Sequence, residues 1–320
     1  MIGFAICGAG RVSVRHAKAI QAAGGAMTRV FDTDAGRAES FGKQFGARPT
    51  DSFEGLLEDP DTHVVAICTP PSTHAPLAVA AMAAGKHVIV EKPFAACVSD
   101  LDQVTNAALR FGRLAMAVSQ HRYSAAARYI GGQIRTGAMG RVRGVSCLVR
   151  RHRADSYFLE GWKGSRRIAG GGSLIGIGFH CIDVLCEWLG LPESVAALSV
   201  PSPSREVESC IAGVIRFPSG ILASFDVATG PLANCPDEIE LIADAGRFRM
   251  VGDRLTGAAE AVEPDRTDLH TRQYLSLLGA LAGGSDDIVT PEHVRPAMRT
   301  IAAIYRSAET GRSVELGGDR

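Results

Sequence analysis

The sequence predicts an α/β fold in two parts. A Rossmann-type, doubly wound parallel sheet comes first, and an α/β domain built on an open, mostly antiparallel sheet follows. Three observations carry this. Over residues 1–120, short apolar β-like runs alternate with helix-like segments, the pattern of right-handed βαβ crossovers around a sheet covered on both faces. A glycine-rich turn, Gly8-Ala9-Gly10, directly follows the first of those runs. Beyond about residue 120, β-like runs succeed one another with little helix between them.

Each element has its own signal. Residues 2–7 read as a first strand, 12–23 as an amphipathic helix, 28–32 as a second strand and 34–45 as a second helix. The run 64–69 (VVAICT), bounded by prolines, reads as a fully buried strand, 75–84 as a helix and 87–90 as a strand. Residues 99–111 and 114–118 add one more helix–strand pair. In the second part, 142–150, 194–200, 210–217, 221–229, 238–243 and 246–251 read as strands. The turns FPSG and DAG join neighbouring runs as hairpins. Residues 174–189 form the helix beside that sheet, and 291–310 a last helix that opens with proline and stops at Gly311. The polar, alanine-rich stretch 252–268 is expected to be irregular. The boundary falls at 120, giving domains 1–120 and 121–320.

Composition narrows the function. The 34 basic residues balance 34 acidic ones among 320, so no overall field favours nucleic acid or an anionic membrane. No apolar run reaches the roughly 18–20 residues of a membrane span. The start MIGFAICGAG lacks a basic leader and reads as a strand rather than a signal peptide. Eight cysteines occur without a Cys-x-x-Cys pair, as suits buried thiols in a reducing, cytoplasmic setting. His152, His180, Cys181 and Cys186 match no zinc spacing, and no metal is expected.

The N-terminal turn points to a dinucleotide. Gly8 permits the tight turn, and Gly10 lets backbone approach a pyrophosphate. Arg11, Val12 and Ser13 then open a helix whose free N–H groups favour an anion. Asp32 closes the second strand some twenty residues on, where a carboxylate accepts from a ribose 2′-hydroxyl. It would disfavour the 2′-phosphate of NADP, so NAD is the expected cofactor. Thr69-Pro70-Pro71-Ser72-Thr73-His74 follows a strand end and should face that cofactor, though it would equally serve as a proline-stiffened helix cap. The run GKHVIVEKP ends a strand with Glu91, Lys92 and Pro93. A lysine there is where a hydride-transfer enzyme would keep a proton donor.

Together, GxGRxxxxH, the strand-end aspartate, TPPSTH, AAGKHVIVEKP, SQHRY and GGGSLIGIGFH resemble the Gfo/Idh/MocA family of oxidoreductases across essentially the whole chain. The resemblance implies an NAD(P)-binding Rossmann domain and a substrate-binding domain whose open sheet often forms subunit interfaces, hence a homodimer or homotetramer. It implies a sugar or polyol substrate, with Lys92 catalytic and His180 exchanging a proton with the substrate hydroxyl. Glu91 and Pro93 would shape the nicotinamide end. Gln120, His121 and Arg122 would line the cofactor and substrate pocket, and Trp162 and Lys163 fall in a loop that approaches the nicotinamide in relatives. One position departs from the pattern. Gly176 stands where the family commonly has an aspartate four residues before the histidine. Two other readings stay open: another dinucleotide-linked reaction, such as imine reduction or a retained cofactor, and a non-catalytic dinucleotide-binding regulator.

Overall fold

A computed structural model describes residues 1–317, apart from 155, 160, 203–204, 231–232, 265 and 285–286. In chain order the elements are β1 (Gly3–Cys7), α1 (Ser13–Ala22), β2 (Ala26–Phe31), α2 (Ala35–Phe45), β3 (Arg48–Pro49), α3 (Phe53–Leu57), β4 (Val64–Ile67), α4 (His74–Ala83), β5 (His87–Val90), α5 (Val98–Phe111) and β6 (Ala115–Ala117). There follow α6 (Ala125–Thr136), β7 (Val142–His152), α7 (Ser156–Leu159), α8 (Arg166–Ala169), a π-helical turn Leu174–Gly178, α9 (Phe179–Leu189), β8 (Ser194–Pro201), β9 (Glu208–Arg216) and β10 (Leu222–Gly230). The chain closes with β11 (Glu238–Ala243), β12 (Gly246–Val251), β13 (Arg254–Thr256), α10 (Leu269–Leu281), α11 (Pro291–Thr310) and β14 (Val314–Glu315).

Two compact units result. The first holds Met1–Gln120 and Thr267–Val294, the second His121–Arg266 and Arg295–Arg320. The first unit's sheet is parallel throughout, in the order β3-β2-β1-β4-β5-β6. β1 and β4 are buried along their whole length, which is why they read as unbroken apolar runs rather than alternating ones. Helix ends follow local chemistry. Asp34 caps α2 by accepting from the Arg37 amide, and Gly46 ends it at φ +76°.

The second unit's sheet runs β13-β12-β11-β7-β10-β9-β8-β14 and is antiparallel except where β7 meets β10. FPSG turns β9 into β10 and DAG turns β11 into β12, as their sequences predict. Burial alternates along β10 and β11, so one face is covered and one is open. Gly178 marks the close approach of the covering helix: a Cβ there would lie 2.8 Å from Val227.

Several expectations need correction. The domain boundary is not a single cut, because residues 267–294 return to the first unit. The reason lies in α10. Its Tyr274 packs edge-on against Phe4 at 5.5 Å, and its Gln273 accepts the Ser119 amide at 2.9 Å. Within 252–268 the three residues of β13 are regular, and the other described residues up to Asp268, which caps α10, are irregular as expected; residue 265 lies outside the described residues. The helix expected over 174–189 splits into the π turn and α9. The stretch Arg166–Leu189 is long and apolar enough, by length and composition, to cross a membrane; 78% of its most apolar window is buried inside the protein. Its apolarity therefore serves a core.

Candidate active site

The first unit gathers its candidate residues at one sheet edge. Gly8 follows β1, Asp32 follows β2, Thr69 and Pro70 follow β4, and Glu91 and Lys92 follow β5. These strands are neighbours, and the chain leaves β1 toward β2 on one side while β4 lies on the other. That reversal opens a crevice beyond the carboxyl ends of the strands, the place where such sheets bind ligands. Gly8 has φ +95°, and a Cβ there would stand 2.9 Å from the Cys68 backbone, so only glycine fits. A Cβ on Gly10 would meet nothing within 4 Å. Val12, at the helix N-cap, gives no side-chain hydrogen bond to the first turn of α1. Open glycine and uncapped amides fit a pyrophosphate. Ser13 instead donates to Gly10 O at 2.6 Å, bracing the turn, and Arg11 is exposed.

Asp32 is more engaged than its strand-end position suggests. Oδ2 accepts the Ala9 amide at 2.8 Å, while Oδ1 accepts the Asp34 amide at 2.9 Å and Arg37 Nη2 at 2.8 Å. The carboxylate thus ties the second strand to the glycine turn. Arg29 lies elsewhere, paired with Asp59.

The side chains of two expected cofactor-site residues, Glu91 and His74, face inward. Glu91 is buried; Oε1 lies 2.9 Å from His16 Nε2, and Oε2 accepts the Lys92 amide at 2.9 Å. Burial alone would raise its pKa. The His16 hydrogen bond and the positive charges of His16, Lys92 and His270 outweigh that and hold it at about 2. His16 Nδ1 lies 2.7 Å from the Tyr274 hydroxyl. His74 is likewise buried, with Nδ1 2.9 Å from Pro93 O and Nε2 2.8 Å from Thr69 O. Its ring staples the loop after β4 to the loop after β5. Glu91 and His74 therefore position Lys92 and Thr69, while Lys92 itself is half-buried.

The second unit assembles another group. His180, near the start of α9, is buried and stacks on His121, with ring centroids 4.3 Å apart and planes 16° from parallel. Arg122 was expected to bind substrate. Its Nε and Nη2 hold the two oxygens of buried Asp183 at 2.9 and 2.5 Å, which ties the segment 121–123 to α9. Lys163 Nζ rests 4.4 Å from the centre of the Tyr157 ring, and Trp162 O accepts the Ser165 amide. Gly176 sits within the π turn, exposed, and a Cβ there would meet nothing within 4 Å.

Sequence reasoning missed the support for this turn. Glu208, buried on β9, accepts the Gly172 amide at 2.8 Å and the Leu174 amide at 3.0 Å, and the Tyr305 hydroxyl donates to it at 3.0 Å. A carboxylate inside the apolar run 207–217 was the available signal. Among the described residues, no three His, Cys, Asp or Glu side chains converge as they would on a metal ion.

A glycine turn, a strand-end carboxylate and a strand-end lysine on one edge of a doubly wound sheet define a dinucleotide-dependent oxidoreductase. Comparison with known proteins gives the particular kind. Residues 2–118 match the Gfo/Idh/MocA model described as "Oxidoreductase family, NAD-binding Rossmann fold", and 132–316 match its C-terminal alpha/beta domain. The chain belongs to that family. It is 29% identical over 313 residues to the 1,5-anhydro-D-fructose reductase of Ensifer adhaerens, covering 93% of each chain. It resembles the WlbA dehydrogenase of Bordetella pertussis, solved with NADH and UDP-GlcNAcA, at 25% identity and TM-score 0.90 over 99% of this chain and 98% of that one. The aldose-aldose oxidoreductase of Caulobacter crescentus, solved with glycerol, is similar at 27% identity and TM-score 0.86, over 98% and 99% of the two chains.

Proposed function

We propose that this protein is an NAD-dependent dehydrogenase or reductase of a sugar, sugar derivative or cyclitol. The observation that carries this is Lys92, anchored by Glu91 at the end of β5, on the sheet edge where Gly8 permits the tight turn and Gly10 leaves room for a dinucleotide. When bound, the nicotinamide accepts or supplies the hydride. The chain's own residues do the rest. Lys92 and His180 move the proton at the substrate hydroxyl. Gln120, Trp162 and Lys163 complete the cofactor and substrate contacts. The relatives' names, a reductase of an anhydro sugar and a dehydrogenase solved with a nucleotide sugar, support a carbohydrate substrate. The free thiols of the described cysteines suit a reducing, cytoplasmic compartment.

Gly176 narrows the substrate further. It contributes no carboxylate beside the turn that leads to His180, so a hydroxyl needing that acceptor would lose about 1–3 kcal/mol once desolvated. Inositols are expected to be poor substrates, and bulkier or charged sugar derivatives better ones. The test is a turnover screen across sugars, cyclitols and nucleotide sugars with NAD and NADP, for the wild type and Lys92→Met. The variant should lose about 10²–10⁴ in kcat with cofactor affinity kept. Near-normal kcat in Lys92→Met would remove the lysine from the mechanism, and efficient inositol oxidation by the wild type would overturn the substrate reading.

A further inference from the structure

At the other edge of the first unit's sheet, where the strands begin, lies a cavity of about 340 Å³. His63, Lys86, His87 and Arg113 line it, with Ile2 and Leu281 among its apolar walls. Its volume is at the low end of small-molecule sites. We propose that it binds a phosphate group, at a site separate from the dinucleotide crevice.

Hydrogen-bond accounting carries the proposal. The Gly3 amide donates to His63 Nδ1 at 3.0 Å, and the Leu114 amide donates to His87 Nδ1 at 2.9 Å. Each Nδ1 is an acceptor there, so each Nε2 must hold the ring hydrogen and act as a donor. Lys86 gives two hydrogens to Asp59 O and Thr62 O, at 2.9 and 2.8 Å, and keeps a third. Arg113 Nε is buried without an acceptor among the described residues. Its guanidinium lies along Gly85, where a Cβ would stand 3.7 Å from Nη2.

Four side chains therefore offer donors, and among the described residues no carboxylate lines the cavity. Of the nearby acids, Asp59 is committed to Arg29, Arg48 and the Asp61 amide, and the Asp61 side chain is exposed beside Arg48. Burial, Arg113 and His63 together oppose protonation of His87. A dianion would relieve that repulsion and satisfy the idle donors at once. A phosphate, with several oxygens pointing in different directions, suits four donors better than a carboxylate does.

The test uses the NAD-saturated protein, so that the glycine turn is occupied. Inorganic phosphate is titrated while the Nε2–H resonances of His63 and His87 are followed by NMR. Both signals should move and saturate, and chloride at equal ionic strength should not move them. Arg113→Gln, checked for folding by its NAD affinity, should weaken binding by about tenfold or more; His63→Gln serves as a second variant. Glycerol 3-phosphate distinguishes the source. Tighter binding than phosphate assigns an ester ligand, and equal or weaker binding assigns the free ion. Unmoved resonances up to about 20 mM phosphate, equal movement with chloride, or unchanged affinity in both variants would overturn the site.

Discussion

Glu91 shows how a buried residue can hold the proposed catalytic lysine, Lys92, in place. Its carboxylate spends both oxygens holding His16 and the Lys92 amide, so its charge is part of the first unit's stability. The folded pKa of about 2 lies below the ordinary 4.5. Its contribution is therefore complete above about pH 4.5 and is lost as pH falls toward 2. His270 acts in the same direction. Burial first, and then the charge of His16, lowers it from 6.5 to about 4. The unfolded chain thus takes up that proton before the folded one, and stability falls from about pH 6.5 to 4. Thermal unfolding should show two acid-side losses, each on the order of a few kcal/mol. Glu91→Gln should remove the lower loss and His270→Gln the upper, and a Tm profile with the same pH dependence in both variants would refute the assignment. Asp32 is the residue on which the proposed preference for NAD rests. It opposes a 2′-phosphate, but Arg37 Nη2 lies 2.8 Å from Oδ1 and offsets part of its charge. NAD should be preferred by about tenfold in kcat/KM, a difference of roughly 1.4 kcal/mol. Arg37→Ala should widen the gap, and an NADP preference in the wild type would reverse the reading.

The glycine turn before α9 is where an element, rather than a residue, prepares the site. Glu208 and Tyr305 grip its backbone, and at Gly172 that grip leaves no room for a side chain. A Cβ at Gly172 would come within 2.1 Å of Glu208 O, whereas one at Gly176 would meet nothing. Gly172→Ala should cost several kcal/mol or prevent folding, as overpacked sites do. Gly176→Ala should lie within about 1 kcal/mol of wild type, the scale of helix propensity. Denaturant unfolding checks the contrast, and equal losses would show that the turn rearranges freely. Because a Cβ at Gly176 meets nothing within 4 Å, Gly176→Ala serves as the steric control, and a gain in inositol oxidation seen with Gly176→Asp and not with Gly176→Ala reports the carboxylate. Elements with strong periods were legible in the sequence: β11, β12 and α11 fall on their expected residues. The π turn was not, because residues 174–189 read as one helical segment, while the hydrogen bonds that hold the turn come from the distant Glu208 and Tyr305. The inward faces of Glu91 and His74 were hidden for a related reason. A motif names a residue type at a strand end but does not show which way the side chain turns. α6 has clear caps in Ser124 and Gly137, but its apolar face is short and interrupted by Arg128, Gly132 and Arg135, so its period is weak in the sequence.

For the whole molecule, the legible part was the order of the two sheets, and the hidden part was the return of α10 to the first unit. That return rests on Tyr274 and Gln273 meeting residues more than 150 positions away, beyond the reach of any local pattern. The second unit's open face carries the last prediction. Strand pairing sets Val214 opposite Ala196 and Ser224, so Leu198, Val200, Val214 and Leu222 share one face of β8, β9 and β10. All four are exposed, Leu198 by 74%. Farther across the same face, Glu238 and Glu240 pair with Arg249 and Arg247. An apolar region bordered by a charged ladder has the anatomy of a subunit interface, with dry contacts at its centre and polar ones at its rim. A second copy related by a twofold axis would cover the apolar strands with the same strands. We therefore expect a homodimer or homotetramer of the 33.7 kDa chain, measured by light scattering after size exclusion. Leu198→Asp combined with Val214→Asp places two charges where that face would be buried. The double variant should run as a monomer and keep its NAD affinity, because neither residue belongs to the first unit. A monomeric wild type, or a double variant of unchanged mass, would show that this face meets only solvent.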